Sequence, residues 1–252
     1  MGFAGKTYII AGVGSGLGTA IACLLAAEGA NVVGVARTSN VLDPLVTAGK
    51  ARNWKLTGVA GDVYRQSDVD RIVSEVVSDH RTIDGVSVNV GHWIVGENLL
   101  HKMSEEQWSA GIRDNLDPIY RIGRAVLPVM VKQGFGSLVA VSAARPIRWA
   151  GNPSYHAAKG GLIDLIPRLA RDYRPYGIRI NAVLPGTMGH EITEYDPPDP
   201  NAPIPLADER TGTSAWEAAR GLRYFLSDES RWVTGTTLVV DGGLTTGGKE
   251  HP

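Results

Sequence analysis

Short β-rich runs alternate with helical patterns along almost the whole chain, and this alternation constrains the fold more than any single residue does. Thr7–Ala11, Asn31–Ala36, Leu56–Ala60, Gly85–Val90, Ser137–Val141, Ile178–Val183 and Thr237–Val240 read as strands. Several are nearly all apolar, the pattern of strands buried on both faces of a parallel sheet. Helical segments lie between them. The clearest sets Val69, Ile72, Val73, Val76 and Val77 on one face, with Ser67 and Asp70 spaced as a capping box. Such alternation predicts βαβ units with right-handed crossovers, hence an α/β, doubly wound parallel sheet of about seven strands with helices on both faces. No boundary or repeat interrupts the 252 residues, so residues 1–252 are expected to form a single domain.

Two stretches break the pattern. Residues 190–213 carry Pro197, Pro198, Pro200, Pro203 and Pro205 with several acids and almost no periodicity. An aperiodic loop of this length in a compact domain is expected to act as a lid over a substrate. Pro167 falls inside the helical pattern Leu162, Leu165, Ile166, Leu169, where it is expected to kink the helix and free the carbonyl of Ile163.

Charge and composition narrow the partners. With 25 basic and 26 acidic residues the net charge is −1, and no basic stripe is visible, which argues against nucleic acid. No apolar stretch reaches membrane-spanning length, and the N-terminus lacks a signal peptide's basic region and long apolar core. A cytoplasmic protein without a membrane partner is therefore expected. The single cysteine, Cys23, excludes an internal disulfide and sits among Ala22, Leu24 and Leu25 as a core thiol.

Gly12, Gly14, Gly16 and Gly18, with Ser15 and Leu17 between them, follow the first strand and open a helix. Phosphates need such a loop, because glycines let the backbone approach closely while the helix N-terminus offers free N–H groups and partial positive charge. An acid ending the second strand would take the ribose hydroxyl of NAD. Here that strand ends Val35-Ala36-Arg37-Thr38. A guanidinium beside a hydroxyl suits a 2′-phosphate, so NADP(H) is the preferred cofactor and NAD(H) the second choice.

Tyr155 and Lys159 share one helical face, one turn apart. A nearby ammonium favours the phenolate and is expected to pull Tyr155 down from about 10, making it an acid/base near neutral pH. Ser142 precedes Tyr155 by thirteen residues, at the end of the fifth strand.

With these residues the chain resembles the short-chain dehydrogenase/reductase family in its single-domain, Rossmann-type form, along essentially its whole length. Gly12-x-x-x-Gly16-x-Gly18 matches the family's cofactor loop. Asp62-Val63 is similar to the pair that contacts adenine, and Asn89-Val90-Gly91 to the signature ending strand four. Asn115, Ser142, Tyr155 and Lys159 match the catalytic set, and Pro185-Gly186 follows strand six. The resemblance implies that Tyr155 protonates a carbonyl oxygen, that Ser142 orients it, and that Lys159 holds the nicotinamide ribose. Asn115 would hold a relay water. The cofactor carries the hydride, so no metal is needed. The resemblance also implies a homodimer or homotetramer. Ala11, Val88 and His190 depart from the family pattern, and Thr187 is expected to take over the carboxamide contact from His190.

Other motifs fail on inspection. Gly243–Lys249 mimics a Walker loop, but Glu250 replaces its hydroxyl residue and no helix follows. Gly212-Thr213-Ser214-Ala215 lacks a hydrolase elbow's final glycine, where Trp216 stands. The six histidines, His92 and His156 included, show no zinc-ligand spacing. A carbonyl reductase or alcohol dehydrogenase acting on a small molecule is the expected activity. Its rivals are a catalytically silent dinucleotide sensor, which would have little need of all four catalytic positions, and an extended sugar-nucleotide epimerase, which would want another glycine spacing and a longer C-terminal domain. Trp93, Arg145, Trp149, Asn152 and His190 are expected to approach the substrate.

Overall fold

All seven β-rich runs form strands, joined in one parallel sheet of order β3-β2-β1-β4-β5-β6-β7. The computed structural model describes residues 2–93, 99–188, 192–201 and 213–246. The strands are β1 Thr7–Ala11, β2 Asn31–Ala36, β3 Leu56–Ala60, β4 Gly85–Val88, β5 Gly136–Val141, β6 Ile178–Pro185 and β7 Thr237–Val240. Around them lie α1 Leu17–Ala27, α2 Ser39–Ala51, α3 Gln66–His80, α4 Glu105–Asn115, α5 Asp117–Gln133, α6 Arg145–Ala150, α7 Pro153–Tyr173 and α8 Ala215–Leu226.

The strand order runs outward from β1 in both directions, so a crevice opens beyond the carboxyl ends of β1 and β4, where ligands bind in open α/β sheets. Side chains alternating along the strands feed two cores. Ile10 and Val32 pack with α1, α2 and α8 on one face; Ile9, Ala11 and Val33 pack with α3, α5 and α7 on the other. Burial on both faces accompanies the largely apolar sequences of β1, β2, β4 and β5, whereas the edge strands β3 and β7 are more exposed. Helix α1 is buried along nearly its whole length, Cys23 included, because β1, β2 and α8 enclose it.

Several boundaries differ from expectation. β4 stops at Val88, so Asn89 and Val90 lie beyond the strand, although the Asn89 N–H still donates to the Ala11 carbonyl at 2.8 Å. β6 continues to Pro185 because Leu184 and Pro185 pair in register with Val239 and Val240. The capping box at Ser67 and Asp70 does not form. Helix α3 already begins at Gln66, and it is Asp68 that accepts a backbone N–H, from Asp62 at 2.8 Å. Helix α7 runs through Pro167 without ending, with the Gly235 turn against it. No described helix is long and apolar enough to cross a membrane.

Candidate active site

The glycine loop spans the end of β1 and the start of α1. Gly12 adopts φ +94°, and a Cβ there would lie 2.9 Å from Val90 and 3.1 Å from the Asn89 backbone, so only glycine fits between the two strand ends. A Cβ on Gly18 would stand 2.1 Å from the Gly12 carbonyl oxygen. Gly14 and Gly16 face nothing within 4 Å. The first turn of α1 has neither a side-chain cap nor an acid. A helix N-terminus without a side-chain cap or an acid suits an anion.

Nearby groups fit a dinucleotide. Asn89 Oδ1 accepts from the Ser87 hydroxyl at 2.9 Å, but its Nδ2 is buried without a partner among the described residues, a donor awaiting an acceptor. Arg37 is exposed just past β2, beside Thr38, whose hydroxyl bonds Asn40. Beyond β3, Asp62 Oδ1 accepts the Tyr64 N–H at 3.0 Å, and Val63 is buried in the core. Burial pushes the Tyr64 phenol up to about 12, with the charge of Arg37 acting against it. The Ala144 N–H donates to the Pro185 carbonyl at 2.8 Å, and a Cβ on Gly186 would lie 2.6 Å from the Thr213 hydroxyl. Thr187 receives the Thr213 N–H on its carbonyl at 2.5 Å.

The four residues expected to be catalytic all lie within the core. Asn115, Ser142, Tyr155 and Lys159 are each at most 6% exposed. Asn115 ends α4 just before the chain breaks to start α5. Its carboxamide grips the His92 backbone from both sides, accepting the N–H at 3.0 Å and donating to the carbonyl at 3.1 Å. A Cβ on Gly91 would stand 2.7 Å from Lys159 Nζ and 3.0 Å from Asn115 Oδ1, so those polar ends converge on Gly91. Lys159 Nζ donates to the Val141 carbonyl at 3.0 Å, while the Ser142 hydroxyl donates to the Lys159 carbonyl at 2.8 Å. These bonds lock the end of β5 to α7.

The electrostatics differ from the expected phenol–ammonium pair. Burial raises Tyr155 to about 12, and the charge opposing this comes from Arg148. Burial also lowers Lys159 to about 8, and its ammonium points to Val141 rather than to the phenol. In this state Lys159 does not pull Tyr155 down; desolvation dominates both groups.

Among the expected substrate residues, Trp93 meets Tyr155 edge-on with centroids 5.0 Å apart, and Arg145 lies over the Trp149 ring at 4.0 Å on α6. Asn152 uses its Oδ1 to cap α7, accepting the Tyr155 N–H at 2.9 Å and the Ser154 hydroxyl at 3.0 Å. That oxygen is thereby committed to the helix cap. His190 lies outside the described residues, as do residues 191 and 202–212 of the expected lid. The described part of that segment is anchored: the Ile192 N–H donates to the Ser15 carbonyl at 2.6 Å, Tyr195 packs on the core, and Asp196 pairs with Arg52. Arg148 went unnoticed in the sequence. Its spacing from Arg145, one helical turn, was the signal that could have revealed it.

A family model described as enoyl-(acyl carrier protein) reductase matches residues 12–245. The chain is 33% identical over 251 residues to the 3-oxoacyl-(acyl-carrier-protein) reductase of Escherichia coli, covering 97% of this chain and 99% of that one. It is 35% identical over 247 residues to the enzyme of the same name from Thermotoga maritima, covering 95% and 98% respectively. A short-chain dehydrogenase/reductase structure from Burkholderia xenovorans superposes with a TM-score of 0.86 at 30% identity, over 98% of this chain and 99% of that one. A uniformly parallel seven-stranded sheet, a glycine loop at its switch point and these relatives agree: the chain belongs to the short-chain dehydrogenase/reductase family.

Proposed function

We propose that this oxidoreductase prefers NADP(H) and transfers a hydride between nicotinamide and a carbonyl or secondary alcohol, with Tyr155 as acid/base. The observation that carries the reading is the convergence of buried Tyr155, Lys159, Ser142 and Asn115 beside an uncapped glycine loop. When bound, the cofactor supplies the hydride. The chain's own groups handle the proton. Burial keeps the Tyr155 phenol protonated across the physiological range, so it can donate to a carbonyl oxygen. Lys159, whose ammonium rests on the Val141 carbonyl and not on the phenol, would hold the nicotinamide ribose. The Ser142 hydroxyl can rotate from the Lys159 carbonyl toward a substrate oxygen.

The cofactor preference rests on Arg37 following Ala36 where an acid would favour NAD. The relatives' names specify 3-oxoacyl groups on a carrier protein, which makes a carbonyl at the third carbon the first substrate type to test. Tyr155→Phe removes only the hydroxyl. With NADPH oxidation followed on a panel of ketones and 3-oxo compounds, kcat is expected to fall by about 10²–10⁴-fold while NADPH still binds. Near-normal turnover by Tyr155→Phe, with chemistry rate-limiting, would refute this assignment.

A further inference from the structure

Three successive carbonyls of the glycine loop are already engaged. The Thr19 hydroxyl donates to the Gly14 carbonyl at 2.5 Å, and the Ala20 N–H donates to the Gly16 carbonyl at 3.0 Å. Both donors belong to the first turn of α1. The carbonyl between them breaks this local pattern: Ser15 accepts the N–H of Ile192 at 2.6 Å, from the segment that follows β6.

A trans peptide is planar, so its N–H points opposite to its C=O. No cis peptide occurs among the described residues. Holding the Gly14 and Ser15 carbonyls therefore turns the Ser15 and Gly16 N–H groups the other way. Neither N–H donates to an acceptor among the described residues. Successive free N–H groups of this kind make a concavity for an anion, here at a helix N-terminus.

The donor of the Ser15 bond is itself tied down. Ile192 and Tyr195 pack against the core that holds α1 and α8. Arg52, just past α2, grips Asp196 through Nε and Nη2 at 2.6 Å each. Its Nη1 donates to the Ala48 carbonyl at 3.1 Å, and its guanidinium lies 5.4 Å over the Trp54 ring. Arg220 of α8 donates to the Pro198 carbonyl at 3.1 Å.

We propose that residues 192–198 form a strap that positions the phosphate-binding loop. Ile192 fixes the Ser15–Gly16 peptide so that the Gly16 N–H meets a phosphate of the dinucleotide, and Arg52 latches the strap through Asp196. All three are positioning residues, acting on the cofactor through Ser15. This rests on the dinucleotide part of the reading above and deepens it: part of the segment expected to cover the substrate serves the cofactor instead.

The test titrates NADPH and NADH fluorescence with the full chain and measures Tm without cofactor. Ile192→Pro deletes the N–H and is expected to weaken both cofactors by the same factor, at least about tenfold, because both carry the pyrophosphate. Ile192→Ala keeps the N–H and is expected to bind close to wild type. Arg52→Met and Asp196→Asn release the latch and should weaken NADPH about two- to fivefold. Adding Arg52→Met to Ile192→Pro should cost nothing further, since the latch acts only through that bond.

Wild-type affinity in Ile192→Pro, or equal losses in Ile192→Pro and Ile192→Ala, would overturn the strap and leave hydride transfer standing. Should Ile192→Pro fail to fold by circular dichroism, the latch variants decide: weakened NADPH binding at unchanged Tm supports the strap, and wild-type affinity in both overturns it. Loss of cofactor binding in Ile192→Pro, with a wild type that binds NADPH but reduces no carbonyl, would keep the strap and sink the hydride reading.

Discussion

Two glycines of one loop are expected to respond in opposite ways to the same substitution. A methyl group at Gly18 would stand 2.1 Å from the Gly12 carbonyl oxygen and 2.9 Å from Val13 Cα, and both obstacles are backbone. Ordinary contacts lie at about 3.5–4.0 Å, so the loop and α1 must separate by more than about 1 Å. Overpacking of this kind costs about 3 kcal/mol or more, whereas alanine in a helix offsets about 1 kcal/mol through its better propensity. The clash wins by about 2 kcal/mol, which for a chain of this size lowers Tm by about 4–8 °C. Gly14 has nothing within 4 Å of its added methyl group. Gly14→Ala should therefore leave Tm unchanged or raise it slightly, by restricting the unfolded chain. That methyl group nevertheless enters the space into which the α1 N-terminus points, and NADPH affinity should fall at least ~10-fold as its phosphates lose close backbone approach. Thermal unfolding without cofactor and NADPH fluorescence titration decide the matter. Gly18→Ala as stable as wild type, or Gly14→Ala binding NADPH normally, would refute the reasoning.

Arg37→Ala should raise the KM for NADPH about tenfold while leaving that for NADH nearly unchanged, because one charged hydrogen bond is worth about 1.5 kcal/mol at the low end suited to an exposed side chain; wild-type kcat/KM favouring NADH would count against this. Lys159 gives a pH signature. Its folded value, near 8, lies below the usual value of about 10.4, so between these limits the unfolded chain binds the extra proton and stability rises with pH. Below pH 8 the whole penalty is present, and Lys159→Met should be more stable than wild type at pH 7, with a flatter profile from pH 8 to 10. Urea unfolding at pH 7 and pH 9.5 checks both statements, and a variant less stable at each pH would contradict them. Tyr155 is pushed up to about 12, so its contribution declines only above about pH 10, outside that window.

What the sequence made legible was what depends on local pattern. β1, β2, β3 and β7 occupy their expected bounds because apolar runs bounded by turn residues are a property of a few consecutive residues. Pairing at a distance was not legible: Leu184 and Pro185 join β6 only because β7 lies beside them. Helix α3 starts where Asp68 finds the Asp62 N–H, a contact that no capping pattern anticipates. The site divides along the same line. Tyr155 and Lys159 were visible as neighbours one turn apart, but their protonation was not, because it is set by burial and by the Val141 carbonyl. That the Asn152 oxygen caps α7 through the Tyr155 N–H and the Ser154 hydroxyl was not legible either.

Four buried side-chain atoms lack a partner among the described residues, and two of them, Gln66 Oε1 and Arg121 Nε, sit on α3 and α5. Most buried polar groups in a folded protein are partnered; the other two, Asn89 Nδ2 and Arg148 Nε, lie near the crevice, as does the Lys159 ammonium, enclosed in the core on the Val141 carbonyl. Each lies beyond or beside the carboxyl end of β4 or β5, where strands give way to the crevice. Such costs persist only where the surrounding fold holds the groups in place, and they concentrate where function needs them. The two near the crevice differ in kind. Asn89 Nδ2 is a neutral donor near the glycine loop and asks for a neutral or anionic oxygen of a nucleotide. Arg148 Nε belongs to a cation whose charge is felt at the Tyr155 phenol.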